Sequence, residues 1–229
     1  MIITIDGPVS SGKSSAAKTL AKELKIYYLN TGLLYRAMTY IFLKILNIKP
    51  KDISAKDFDL HVQNIKPENL NFVKDIVYDF GNNKAYVFYN KENITSKLHD
   101  ANIDILTAIM ASNKNVRDSL VKLQRDLAKK HNLVADGRDL GSIVYPDADY
   151  KFYITANIET RAQRMMMDKA RPNVSNDIEQ AKKEIRERDK RDEERKISPL
   201  TVPENAILID NSKLNLQETV DHMMRHIEK

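Results

Sequence analysis

The chain has 229 residues, 30% of them charged, with a formal net charge of +5 and no cysteine. That length buries one sizeable core with room for an inserted subdomain, and the missing cysteine excludes a disulfide framework and thiolate chemistry. The basic residues are interleaved with acids, so the positive excess suits an acidic small substrate as well as it suits nucleic acid. No apolar run approaches the length of a membrane span, and the first residues enter a strand with no signal-peptide pattern, so a cytoplasmic location is expected.

The first element is "IITI" from Ile2, a β-branched run of the kind that forms a buried parallel strand. It leads into "GPVSSGKSS", in which Gly7 to Ser14 fits G-x-x-x-x-G-K-[ST], the phosphate-binding loop. Gly7 and Gly12 let the backbone wrap closely, and the N–H groups of Pro8's successors Val9, Ser10 and Ser11 can then line an anion nest. The helix "KSSAAKTLAKEL" adds its positive end at Lys13, Ser14 and Ser15. Lys13 supplies a mobile charge for the β- and γ-phosphates, and the Ser14 hydroxyl is placed for Mg²⁺. A chance match in a Gly/Ser loop is the bland reading, and the strand–loop–helix order argues against it.

A second strand is predicted at "IYYL" from Ile26, followed by "NTGLLYRAM". Thr31 and Arg36 flank a helix start there, which suits an anion or equally an ordinary capped helix with a surface arginine. The stretch "NLNFVKDIVYDFGNNKAYVFYNKENIT" alternates and turns at "FGNNK", so an antiparallel hairpin is expected. Helical sequence resumes over "DANIDILTAIMASNKNVRDSLVKLQRDLAKKH".

The third strand, "NLVAD" from Asn132, runs into "VADGRDLGS". Asp136 closes a buried strand beside the phosphate loop, where it can hold Mg²⁺ through water. Arg138 and Asp139 follow at the carboxyl end, where ligands sit in open α/β sheets; a plain charged turn is the alternative. The fourth strand is "KFYIT" from Lys151 and the fifth "AILID" from Ala206. Between them Glu159 to Lys196 reads as helix, short loop and helix, with Pro172 and Asn173 near the break. In "IRERDKRDEER", Arg188, Arg191, Asp192 and Arg195 recur at spacings of three and four, so one helix face is expected to carry them. They suit a phosphate cage with one acceptor for a sugar hydroxyl, or a solvated charged helix. Arg161, Arg164 and Arg171 are weaker candidates of the same kind.

The elements alternate as in a doubly wound α/β core. Together the constellations predict a phosphoryl-transfer site at which two phosphate-bearing ligands meet. No His or Glu stands out as a strong base, which suits an acceptor that is itself an ionised phosphate.

"IDGPVSSGKSS", "NTGLLYR", "VRDSL", "ADGRDLGSIVYPDAD", "IRERDKRD" and "ISPL", in this order, resemble the bacterial cytidylate kinases, nearly end to end. The resemblance implies a P-loop NTPase core with a five-stranded parallel sheet flanked by helices. It adds an inserted antiparallel β-containing monophosphate-binding subdomain and a short helical lid. The expected division is core at 1–39, insert at 40–100, core at 101–155, lid at 156–197 and core at 198–229.

The resemblance implies transfer of the γ-phosphoryl group of ATP, with Mg²⁺, to CMP or dCMP in pyrimidine nucleotide metabolism. Gly7 to Ser15 and Arg164 are then ATP-side residues. Arg36 and Arg138 hold the acceptor phosphate, with Thr31 and Tyr35 beside the nucleotide. Arg117 and Asp139 read cytosine, Asp192 with Arg188 takes the ribose, and Arg195 acts at the transition state. Lys13, Arg138, Arg188 and Arg195 form the catalytic set. Two positions depart from the pattern. Ala108 stands where the family often has a serine, with Thr107 and Ser112 as the nearest hydroxyls, and Met165 follows Arg164 where an arginine pair is common. A monomer without nucleic-acid or membrane partners is expected. The competing readings are a P-loop kinase for another monophosphate or small metabolite and, more distantly, a nucleotide-dependent nucleic-acid-binding ATPase.

Overall fold

The computed structural model describes residues 1–81, 85–168 and 177–227. The chain divides into two compact units, Met1–Leu29 with Lys130–Lys229, and Asn30–Lys129. The second is wider than the 40–100 segment named from sequence.

The first unit is built on β1 (Ile2–Asp6), α1 (Lys13–Glu23) and β2 (Tyr27–Asn30), whose last residue begins the second unit. In the second unit come α2 (Thr31–Ile45), α3 (Ala55–Gln63), β3 (Ile76–Asp79), β4 (Tyr86–Tyr89), β5 (Glu92–Asn93), α4 (Ala101–Met110) and α5 (Lys114–Ala128). The first unit resumes with β6 (Leu133–Asp136), β7 (Tyr150–Thr155), α6 (Ile158–Met167), α7 (Ile178–Glu194), β8 (Ile207–Asp210) and α8 (Leu216–Ile227). All five strands predicted from the apolar runs are present, in the order β2-β6-β1-β7-β8.

β1 is central because every residue after Ile2 is buried, as a strand covered on both faces requires. It pairs in parallel with β6 and β7, bringing Ile5 opposite Asp136 on one side and Asp6 opposite Tyr153 on the other. Strand order reverses around β1, so the carboxyl ends of β1, β6 and β7 frame the crevice where such sheets bind ligands. Ala16, Ala17, Leu20 and Ala21 turn one face of α1 onto Ile3, Ile5, Val134 and Phe152, with Val220 and Met223 of α8 in the same core. Small alanines on that face let the helix lie close to the sheet, so its first turn starts directly above β1.

In the second unit the expected hairpin is present, with Val77 opposite Phe88 and Asp79 opposite Tyr86. The "NNK" of its turn lies outside the described residues. β5 adds a third strand that is too short to show a period in the sequence. The Thr95 hydroxyl accepts the Val87 amide at 2.8 Å and closes this small sheet.

Candidate active site

The phosphate loop takes its shape from two glycines and its own interior. Gly7 has φ +150, and a Cβ there would lie 2.1 Å from the Ile154 carbonyl oxygen, so only glycine fits where β1 turns. Gly12 has φ +88 and opens α1 with no side-chain cap, leaving the first amides of the helix directed into the loop. Lys13 is buried beneath them, and its Nζ donates to the Pro8 carbonyl at 2.8 Å. Burial, seconded by the nearby Arg138 charge, holds the Lys13 ammonium well below its usual range, while Asp136 and Asp192 work against that shift. A polyanion beside this lysine stabilises its charged form, so the loop is electrically matched to phosphate.

Arg164 braces the loop from behind. Its guanidinium donates to the Ser11 carbonyl at 3.1 Å, to the Asn211 side-chain oxygen at 2.9 Å and to the Asn211 carbonyl at 3.0 Å. Asn211 itself donates to Ser11 at 3.0 Å. Contact with ATP is the role expected of Arg164 from sequence; these bonds also tie the residue after β8 to the loop's backbone.

Asp136 ends β6 as predicted. Its two oxygens accept the Ser14 hydroxyl at 2.5 Å and the Tyr28 hydroxyl at 2.8 Å. The sequence reading did not include Tyr28. One hydroxyl and one carboxylate at the mouth of a phosphate loop suit a hard divalent cation that completes its shell with phosphate oxygens and water. Among the described residues no three His, Asp or Glu side chains gather into a cation cage.

The loop after β6 carries Arg138 and Asp139. Arg138 Nε donates to Asp192 at 2.8 Å. Burial alone would raise the Asp192 carboxyl, but Arg138, Arg195 and Arg188 outweigh it and hold it below the usual carboxylate range. A carboxylate ringed by three guanidiniums was expected, yet its members differ. Arg191 is exposed and its Nε donates to Glu187 within α7, while Arg138 takes its place. Arg195 is not on the helix face at all, because α7 ends at Glu194 and Arg195 is extended, with ψ 135. Its Nε donates to the Ser198 carbonyl, and its guanidinium stands 3.7 Å from Asp139, which is buried.

The two helices predicted after β7 form a hairpin with a small core of its own. Ala162, Met165, Ala181 and Ile185 pack around Val9 of the phosphate loop. Asp189 reinforces the seat by accepting the Val9 amide at 3.3 Å and pairing with Arg161, whose guanidinium also reaches the Val9 carbonyl at 3.4 Å. Arg171, Pro172 and Asn173 lie outside the described residues.

The second unit holds its own set. Asn30 caps α2 by accepting the Leu33 amide at 3.2 Å, with Thr31 buried as the first helical residue. One turn on, Arg36 pairs with Asp104 at 2.8 Å and lies 3.4 Å from His99 Nδ1. Arg117 is buried on α5, with its guanidinium 5.4 Å from the centre of the Tyr35 ring and donating to the Ala111 carbonyl at 3.1 Å. Tyr35 and Arg117 are thus gathered as a flat aromatic–cation pair. Of the hydroxyls near Ala108, Thr107 donates to the Ile103 carbonyl at 2.6 Å and lies 3.2 Å from the Thr39 hydroxyl, and exposed Ser112 donates to the Ile109 carbonyl at 2.7 Å.

The family described as cytidylate kinase matches residues 3–229. A cytidylate kinase of Bacillus cereus is 36% identical over 97% of this chain and 93% of its own length. A cytidylate kinase of Pediococcus pentosaceus is 38% identical over 99% of this chain and 95% of its own. Among solved structures, a shikimate kinase from Bacteroides thetaiotaomicron is 9% identical with a TM-score of 0.50, covering 100% of this chain and 99% of its own, a likeness of fold alone.

Proposed function

The chain belongs to the cytidylate kinase family, and on that premise we propose that it transfers the γ-phosphoryl group of ATP to CMP or dCMP, giving ADP and CDP or dCDP. The observation that carries the reading is the placement of two cations. Lys13, a buried loop lysine for the donor phosphates, follows β1, and Arg138, an arginine suited to an acceptor phosphate, follows the neighbouring parallel strand β6.

ATP is held by Gly7, Pro8, Val9, Ser10, Ser11, Gly12, Lys13, Ser14, Ser15 and Arg164, which also keeps the loop in shape. Arg36 and Arg138 grip the acceptor phosphate, Thr31 and Tyr35 flank the nucleotide, and Arg117 and Asp139 read the cytosine edge. Cytosine offers an amino donor to a carboxylate and ring acceptors to a guanidinium. Asp192 takes a ribose hydroxyl with Arg188 beside it, and Lys13, Arg138, Arg188 and Arg195 offset charge on the transferred group. The acceptor phosphate is already ionised, so no side chain has to remove a proton from it. Ser14, and Asp136 through water, are the residues that would hold Mg²⁺, which when bound draws charge from the donor phosphates. Residues 156–197 act as a lid whose arginines complete the site and exclude water. The protein works as a cytoplasmic monomer; among the described residues no helix is long and apolar enough to cross a membrane.

The test is coupled ADP release measured with CMP, dCMP, UMP, AMP and GMP in turn. CMP and dCMP should drive turnover, with kcat/KM at least about tenfold above UMP, since about 1.4 kcal/mol of lost pairing is tenfold. Turnover driven equally by AMP or GMP, or by none of the five, would refute the assignment.

A further inference from the structure

Asp6 belongs to neither substrate set, yet in the first unit it joins the start of the phosphate loop to the loop that carries Arg138 and Asp139. It is the last residue of β1, it is fully buried, and Gly7 of the phosphate loop follows it directly. Its two carboxylate oxygens are spent on backbone amides 134 and 135 residues away: Oδ1 accepts Leu140 N–H at 2.9 Å and Oδ2 accepts Gly141 N–H at 2.8 Å. Those amides open the single wide helical turn Leu140–Val144, whose starting residue Asp139 makes no cap with its own side chain. A helical turn leaves its first N–H groups without partners, and here a distant carboxylate supplies both. Burial pushes the Asp6 carboxyl up to about 6 against the opposing pull of these two amides, with Asp139 adding to the rise and Lys13 opposing it. A buried carboxylate between a like charge and a lysine is costly to keep.

We propose that Asp6 is a positioning residue which locks the loop bearing Arg138 and Asp139 to the entrance of the phosphate loop, and so fixes where the acceptor meets the donor. This rests on the reading above, in which the phosphate loop holds ATP and Arg138 and Asp139 hold the acceptor. The side chain touches neither substrate; it acts through the Leu140 and Gly141 amides. Because the same residue leads straight into Gly7, a shift of one loop relative to the other has to break a buried hydrogen bond. Misplacing a reacting group by about 1 Å can cost on the order of 10²-fold in rate.

Asp6→Asn keeps shape and volume but turns one acceptor oxygen into an NH₂ that faces an N–H donor. Its turnover and its product partition, the ratio of phosphate released to CDP formed, are measured with saturating ATP and CMP. The partition does not depend on how much of the sample is folded, so a merely structural role leaves it unchanged. The expected result is a kcat at least about tenfold lower, KM for ATP within about threefold of wild type, and a phosphate-to-CDP ratio raised about tenfold as the acceptor is mis-aimed. If Asp6→Asn is insoluble, the same ratio is read on Asp6→Glu, which keeps both oxygens but displaces them by one methylene and should raise it likewise. An unchanged ratio with kcat within about threefold overturns the proposal. So does failure of both variants to fold, because positioning predicts a folded but misdirected enzyme. A wild type that makes no CDP refutes the underlying functional reading and is distinguishable from either result.

Discussion

Replacing Gly7 by alanine strikes the point where β1 becomes the phosphate loop. The new methyl would sit 2.1 Å from the Ile154 carbonyl oxygen and 3.1 Å from its carbon. Favourable contact lies near about 3.5 Å, so backbone has to part by more than about 1 Å. That oxygen belongs to the interior of β7, whose Ile154 faces Ile209 of β8 and whose Phe152 faces Ile5 of β1, so it cannot swing aside. A strained φ costs about 1–3 kcal/mol and forced overpacking about 1–3 more, giving about 4 kcal/mol at the middle of the range. For a chain of this size each kcal/mol moves Tm by about 2–4 °C, so Gly7→Ala should melt roughly 10 °C or more below wild type.

Gly12→Ala is the internal control. Its nearest neighbours are side-chain atoms of Asn211 and Arg164 at 3.4 and 3.5 Å, ordinary contacts, so the φ strain stands alone. Its fall in Tm should be no more than about half that of Gly7→Ala, from the strain term only. Thermal melting followed by circular dichroism measures both. Equal falls, or a Gly7→Ala protein melting within about 2 °C of wild type, would show that the loop is not shaped by that close approach.

Lys13→Ala should lower turnover on the order of 10²-fold or more while the protein stays folded, since the lysine serves phosphate charge and not packing; steady-state kinetics with a melting control checks it. Arg188→Ala and Arg195→Ala should depress kcat far more than ATP affinity, and acceptor-free ATP hydrolysis in the wild type should stay well below turnover with CMP. A half-buried and a buried carboxylate should give opposite stability trends with pH in denaturant titrations. Asp192, held low in the folded state, adds stability that is present above about pH 4 and lost as the pH falls, so Asp192→Asn should flatten the acid limb. Asp6, raised from 3.8 to about 6, adds stability that is complete below about pH 4 and lost as the pH climbs through about 6, a loss absent in Asp6→Asn.

Features written in adjacent residues were legible before the structure. The phosphate loop needs only the Gly7–Ser14 spacing between a β-branched run and an amphipathic helix, and each core strand is a local apolar run closed by a polar residue. Features made by distant pairings were not. Asp6 meets an amide 134 residues further along the chain, Asn211 reaches Ser11 from just past the last strand, and Asp189 meets Val9 from α7. Nothing near any of these residues marks the partner. Periodicity also ran too far in one place. Spacings of three and four carried Arg195 onto α7, but the helix stops at Glu194, ahead of Ser198 with its positive φ and of Pro199, and the arginine turns back toward Asp139. The same extrapolation counted Arg191, whereas the guanidinium that does reach Asp192 arrives from the end of β6.

The most direct test of the account follows the phosphorus itself. The protein is given ATP labelled at the γ position with CMP, and the products are separated. The label should appear at the β-phosphate of CDP in step with ADP formed, with little free phosphate, and Asp139→Asn should narrow the gap between CMP and UMP. Label released as free phosphate at the same rate with and without CMP would contradict phosphoryl transfer to a cytidine monophosphate.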